Sequence, residues 1–173
     1  MSNINNGRMS AARLTYGGVN IGHTTGGVSF NYEPSTEDLI FDQYGDTPVD
    51  KILTGENVQI VANLAEPVVG VLNSVIPGGL HALGSGGERL GVGRDAGYSL
   101  RADAKQLVLH PYDKADDDTD EDVVIYKAVV AEAVELNYEV NGQRVFEVTF
   151  QALVDETYGA GRRLGHIGST DVS

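Results

Sequence analysis

The chain has 173 residues, a formal net charge of −13, 41% apolar residues and no cysteine. That length gives one domain with its own core, and the missing thiols exclude disulfides and thiolate metal sites. The acidic excess argues against ordinary binding to phosphate backbones, which takes Lys and Arg to displace counterions.

No apolar run approaches the roughly 20 residues that a membrane-spanning helix needs. The opening, Met1 to Gly7, is polar and lacks the hydrophobic segment of a signal peptide, so the expectation is folding in a cytoplasm. The 22 glycines point to turns and strands rather than long helices.

Residues 1–13 read as a flexible arm whose charges are Arg8 and Arg13, and residues 14–158 as the folded domain. Leu14 to Ile21 is a glycine-interrupted apolar segment, a candidate first strand, and His23 to Gly27 reads as a turn. Val28 to Glu33 alternates, with Val28, Phe30 and Tyr32 on one face and Ser29, Asn31 and Glu33 on the other. Residues 34–56 read as a long connection holding the apolar patch Leu39, Ile40, Phe41 and the run Asp42 to Pro48. Loops longer than about 12–15 residues are functional or disordered, and this mixture of apolar and acidic residues favours an ordered contact surface. Asn57 to Leu64 alternates again, with Val58, Ile60, Ala62 and Leu64 inward and Gln59, Val61 and Asn63 outward.

At residues 65–75 the period changes. Pro67 suits a first helical turn, Val68, Val71, Leu72 and Val75 fall at helical spacing, and Pro77-Gly78-Gly79 stops the run. This predicts one short amphipathic helix packed on the sheet. Residues 78–97 are glycine-rich and read as a loop. Gly91 to Ala96 matches G-x-G-x-x-A only formally, because no helical pattern follows it. Ala104 to His110 reads as a strand.

Asp113 to Glu121 and Asp122 form an acidic run. An EF-hand counted from Asp116 needs Gly sixth and Glu twelfth, where Glu121 and Lys127 stand. A solvated loop is the expectation. Val123 to Ala133 reads as a strand leading into a hairpin, Glu135 to Val154, around Asn141-Gly142, the strongest short hairpin signal. Residues 159–173 read as a flexible tail.

No catalytic constellation emerges, and the expectation is a protein that is not an enzyme and takes neither cofactor nor metal. His23, His81, His110 and His166 are scattered and read as surface or turn histidines, and no G-x-S-x-G elbow occurs.

The outward faces, however, share a character. They hold Ser29, Asn31, Glu33; Gln59, Val61, Asn63; Glu135, Asn137, Glu139; and Glu147, Thr149, Gln151. Apart from Val61 these are polar, several are acidic and none is basic. This predicts a mainly β fold: a four-stranded antiparallel sheet, one face on the core with a flanking helix and one face wet. The edges of such a sheet invite pairing with copies of itself, and closing it through identical neighbours makes a barrel with an acidic inner wall.

The sequence resembles the major tail tube proteins of tailed bacteriophages over most of its length. The resemblance is carried by Gly26 to Phe30, Asp42 to Asp50, Thr54-Gly55-Glu56 and Ala62 to Glu66. Its C-terminal part is Val124 to Val129 with Phe146 to Leu153. It implies a β-sandwich or small barrel with a flanking helix. It also implies hexameric rings stacked into a tube, and an inner sheet closing into a barrel across the ring. Glu33, Glu135, Glu139 and Glu147 would then face the lumen, and loop 34–56, with Leu39, Phe41, Asp42, Tyr44 and Asp46, would stack the rings.

The implied partners are copies of itself, the tape measure, terminator and baseplate or tip proteins, and a sheath if the tail contracts. DNA would pass through the lumen without specific binding. The implied location is the virion, assembled in the host cytoplasm, with no membrane contact. The alternative from another class is a β-sandwich binding or decoration module of a virion, binding calcium at 113–122 or carbohydrate at the exposed aromatics Tyr98 and Tyr112.

Overall fold

The computed structural model describes residues 10–66, 68–132, 134–136 and 144–169. Among these, the chain opens with a tight hairpin, β1 (Ala12–Tyr16) and β2 (Val19–Asn20). Tyr16 pairs with Val19 across Gly17-Gly18, both at positive φ (59° and 79°). A two-residue turn that matches strand twist needs that geometry at both positions.

The next two strands are the longest. β3 (Thr24–Ile40) and β4 (Pro48–Leu64) run antiparallel from Thr24↔Leu64 to Ile40↔Pro48. The segment expected as a turn, residues 23–27, is instead largely a bulged start of β3, with Gly26 and Gly27 at positive φ where the register shifts. The segment expected as a loop, 34–56, is also mostly strand. Only residues 41–47 connect the two, through a 3-10 turn at Asp42–Tyr44. The apolar-polar alternation fails beyond Pro34, so no sequence period marks these residues as strand, yet the ladder continues through them.

A short helix, α1 (Val69–Val75), follows and turns Val71 and Val75 into the core. It begins later than the expected 65, with Val68 still extended at its N-cap. The glycine-rich stretch expected as a loop contains a second small hairpin, β5 (Leu80–Gly84) and β6 (Gly87–Gly91), outside the main sheet. Then come β7 (Lys105–Pro111), β8 (Val123–Val130), β9 (Phe146–Ala152) and β10 (Gly165–Ile167). β10 lies within the expected tail 159–173 and pairs with β8, so Gly165–Ile167 belong to the main sheet.

The main sheet has eight strands in the order β2-β1-β7-β8-β9-β4-β3, with β10 beside β8. It is antiparallel and curled. Tyr16 on β1 packs against Phe150 on β9 with ring centroids 5.1 Å apart, and its hydroxyl donates to the Ala128 carbonyl on β8 at 3.0 Å. Burial and the nearby Asp103 carboxylate push that phenol up to about 12. Leu14, Ile21, Ile60, Leu64, Leu107, Ile125, Phe146, Val148 and Phe150 complete one core. Among the described residues the sheet does not close into a barrel, since β2 and β3 are its two edges.

The second arm of the expected C-terminal hairpin forms β9. β9 pairs with β4 and β8, and Glu135 and Leu136 lie in no strand. Asn137, Glu139 and the Asn141-Gly142 turn lie outside the described residues.

Candidate assembly interface

The strand register brings two of the four acidic candidates onto one surface. Asn31↔Gln59, Glu33↔Asn57, Val61↔Thr149, Asn63↔Glu147 and Gln59↔Gln151 are directly opposed pairs. Opposed residues in an antiparallel ladder share a face. The outward face of β3, β4 and β9 therefore carries Ser29, Asn31, Glu33, Asn57, Gln59, Asn63, Glu147 and Gln151, with Thr149 buried among them.

Amide side chains link this surface. Asn57 donates to Glu33 at 3.5 Å, Gln151 to Asn57 at 3.4 Å, and Gln59 to Glu132 at 3.5 Å. No Lys or Arg stands at these positions of the three strands. On the next strand Lys127 is held by Asp155 at 3.0 Å. That ammonium and the Thr157 backbone N–H and hydroxyl keep the Asp155 carboxyl below its usual range. Of the other two candidates, Glu135 is exposed but off the strands, and Glu139 lies outside the described residues.

The ribbon tip gathers all five stacking candidates. Leu39, Phe41, Asp42, Tyr44 and Asp46 stand at or beside the turn, and all are exposed. Tyr44 N–H donates to the Phe41 carbonyl at 2.9 Å, and Gly45, at φ 62° and ψ −140°, turns the chain back. The apolar side chains of the distal ribbon lie on both faces. Leu39 pairs with Asp50 and Glu37 with Ile52 on one face, while Thr36 pairs with Leu53 and Asp38 with Lys51 on the other. Leu39, Ile40, Phe41, Tyr44, Val49, Ile52 and Leu53 are between 37% and 63% exposed. Lys51 bridges to Asp38 at 2.7 Å, an exposed cross-strand pair of small worth.

A free two-stranded ribbon is marginal in water. This one also exposes seven large apolar side chains around its tip.

Sequence reasoning missed two features. His110, expected at the surface, is buried with Asp122, its Nδ1 2.7 Å from Oδ1, and its Nε2 has no hydrogen-bond partner among the described residues. His110 opposes Arg13, on the face away from the core pair Leu14↔Leu109, so strand alternation gave no sign that Asp122, twelve residues on, covers it.

The other feature is the segment after β9. Tyr126 stacks on Tyr158 at 3.6 Å, and His166 Nδ1 lies 2.9 Å from the Tyr126 hydroxyl. Burial, and then the Arg162 charge, lower the His166 pKa.

Two cations pair with members of the acidic run. Lys114 meets Asp118 at 2.9 Å and Glu121 at 3.4 Å, and Arg13 meets Asp116 at 3.0 Å. Among the described residues no three His, Asp or Glu side chains are set to hold a metal. Of the aromatics named for carbohydrate, Tyr98 donates to Asp103 at 2.9 Å with the Arg94 guanidinium over its ring, while Tyr112 is 52% exposed.

No family model matches the chain, and no curated protein matches it.

Proposed function

We propose that this chain is a structural subunit that polymerises with copies of itself into stacked rings, forming the tail tube of a virion. The observation that carries the reading is the distal ribbon. Two strands leave the core, continue their ladder into solvent, and end in Phe41 and Tyr44 with apolar residues on both faces. Covering that surface takes another molecule.

The edge of β3 supports self-association too. It has β4 on one side and no strand on the other among the described residues. A long open edge is a template for another strand. Joined through that edge, the curled sheets of successive copies would close a barrel that one chain leaves open, with Glu33 and Glu147 on its wet wall. An acidic wall repels the phosphates of a passing DNA, which suits a conduit rather than a binding site. The sixfold ring, the tape measure, terminator, baseplate or sheath partners and the virion location follow from the resemblance to tail tube proteins and belong to the same proposal.

Negative-stain electron microscopy of the concentrated protein tests it. Rings or hollow tubes are expected. A variant with residues 36–52 replaced by Asn-Gly is expected to fold and stay dispersed. A wild-type chain that is monomeric at every concentration overturns the reading.

A further inference from the structure

Between the base of the ribbon and β8 lies a cleft of about 390 Å³. One wall is the base of the ribbon, with Phe30, Tyr32 and Val58, and the other is β8 with the segment Ala160 to Ile167. The floor is apolar, built from Phe30, Val58, Val123, Ile125 and Leu164. Its lips are polar and unequal. On one side the Tyr32 hydroxyl donates to Glu56 at 2.8 Å, which engages that carboxylate. On the other stand Arg162 and Arg163, both exposed, with no described carboxylate in salt-bridge range of either guanidinium.

Such a cleft fits an apolar side chain with carboxylates beside it. The ribbon tip has that composition. Phe41 and Tyr44 are exposed, Asp42 and Asp46 flank them, and residues 41–47 contain no Lys or Arg. Neither aspartate has an ion-pair partner among the described residues. The size also suits, because a cavity of roughly 150 Å³ accepts one benzene ring, so this cleft has room for two aromatic rings.

The tip cannot reach the cleft of its own chain. From Tyr32, at the cleft, to Phe41, at the tip, is nine residues of extended strand (41 − 32), about 30 Å at roughly 3.3 Å each.

We infer that the ribbon tip of one copy seats in the cleft of a second copy, with Phe41 and Tyr44 as anchors and Asp42 and Asp46 facing Arg162 and Arg163. The contact joins different surfaces of the two copies, so it repeats from copy to copy instead of ending at a dimer. It rests on the self-assembly reading above and names the receptor that reading lacks.

The chain has no cysteine, so cross-linking can be made specific. Gln43→Cys and Ala160→Cys in one chain, oxidised under assembly conditions, should give a ladder of disulfide-linked oligomers that reductant collapses. Either single variant should stop at dimers. Arg162→Glu with Arg163→Glu should raise the concentration needed for assembly about tenfold or more, the scale of losing charge pairs at an interface. Adding Asp42→Arg and Asp46→Arg to the same chain should restore it.

Circular dichroism melting checks that the charge variants fold, and the cross-link leaves those charges untouched. No ladder from a chain that assembles, or assembly indifferent to Arg162 and Arg163 while the ribbon-shortened chain stays dispersed, overturns the cleft as receptor and leaves the tube reading standing. A wild-type chain that never assembles overturns both.

Discussion

The base and the tip of the ribbon are the same two strands in two environments. At the base, β4 alternates strictly from Asn57 to Leu64, every second residue buried. From Pro48 to Thr54 every residue is exposed, although the ladder to β3 persists. Backbone pairing therefore does not decide where the chain is covered; a packing partner does. β9 and the core supply that partner at the base, and a strand pair lacking one would gain little from its hydrogen bonds alone.

The sharpest way to break this comparison is to remove one aromatic from each region. Phe150→Ala empties a fully buried site against Tyr16 and should cost about 3–5 kcal/mol of folding stability. Phe41→Ala at the tip should cost the dispersed chain less than about 0.5 kcal/mol, yet abolish assembly. Urea unfolding and electron microscopy of both variants check this. If Phe41→Ala were as destabilising as Phe150→Ala, the tip would be packed within its own chain.

A second contrast lies within the acidic run. Asp122 is buried against His110, while Asp116 meets Arg13 with its side chain 83% exposed. Asp122→Ala strands a buried imidazole and should cost about 3 kcal/mol. Asp116→Ala should cost under about 0.5 kcal/mol. Thermal melting separates them. Equal small effects would return His110 to the surface role its sequence suggested.

These contrasts explain what was legible beforehand. Val28 to Glu33, Asn57 to Leu64 and Phe146 to Ala152 were readable because one face meets the core and the other meets water, which writes a period of two into the sequence. The distal ribbon carries no such period, since both its faces are exposed, so 34–56 read as a loop. For β9, the Asn141-Gly142 turn and most of the first arm of the expected hairpin lie outside the described residues, while the ladder to β4 joins distant segments that no local pattern encodes. The β5–β6 hairpin was hidden because glycines at both ends of its strands read as loop. His110 was misplaced because its partner depends on where β7 and the end of the acidic run meet.

The wet face gives a third test, with little effect on stability. Glu33→Lys with Glu147→Lys changes exposed residues on β3 and β9, either side of β4, and should leave melting nearly unchanged. Tubes should still form, but they should now retain DNA in a salt-dependent way. Filter binding at 50 and 200 mM salt, on the order used for such contacts, reads this out. Unchanged DNA retention would remove these two residues from the lumen.

The smallest effect expected is a pH dependence at the segment that forms the far wall of the cleft. His166 is partly buried beside Tyr126, and its pKa is lowered first by burial and then by Arg162, with Asp122 opposing weakly. The unfolded chain therefore binds a proton at His166 more readily than the folded one. Its contribution to stability is fully present above the unfolded value of about 6.5 and is lost as pH falls below it toward the lower folded value. Asp155, also lowered, contributes in a separate window, present above the usual carboxylate range and lost in more acidic solution. Melting the dispersed chain between about pH 7.5 and 5 should show a modest fall that His166→Gln flattens. A slope that survives the substitution would assign the proton uptake elsewhere. Because Arg162 also faces the cleft, occupation of the cleft by an acidic tip should weaken that arginine's influence and shrink the slope in assembled material.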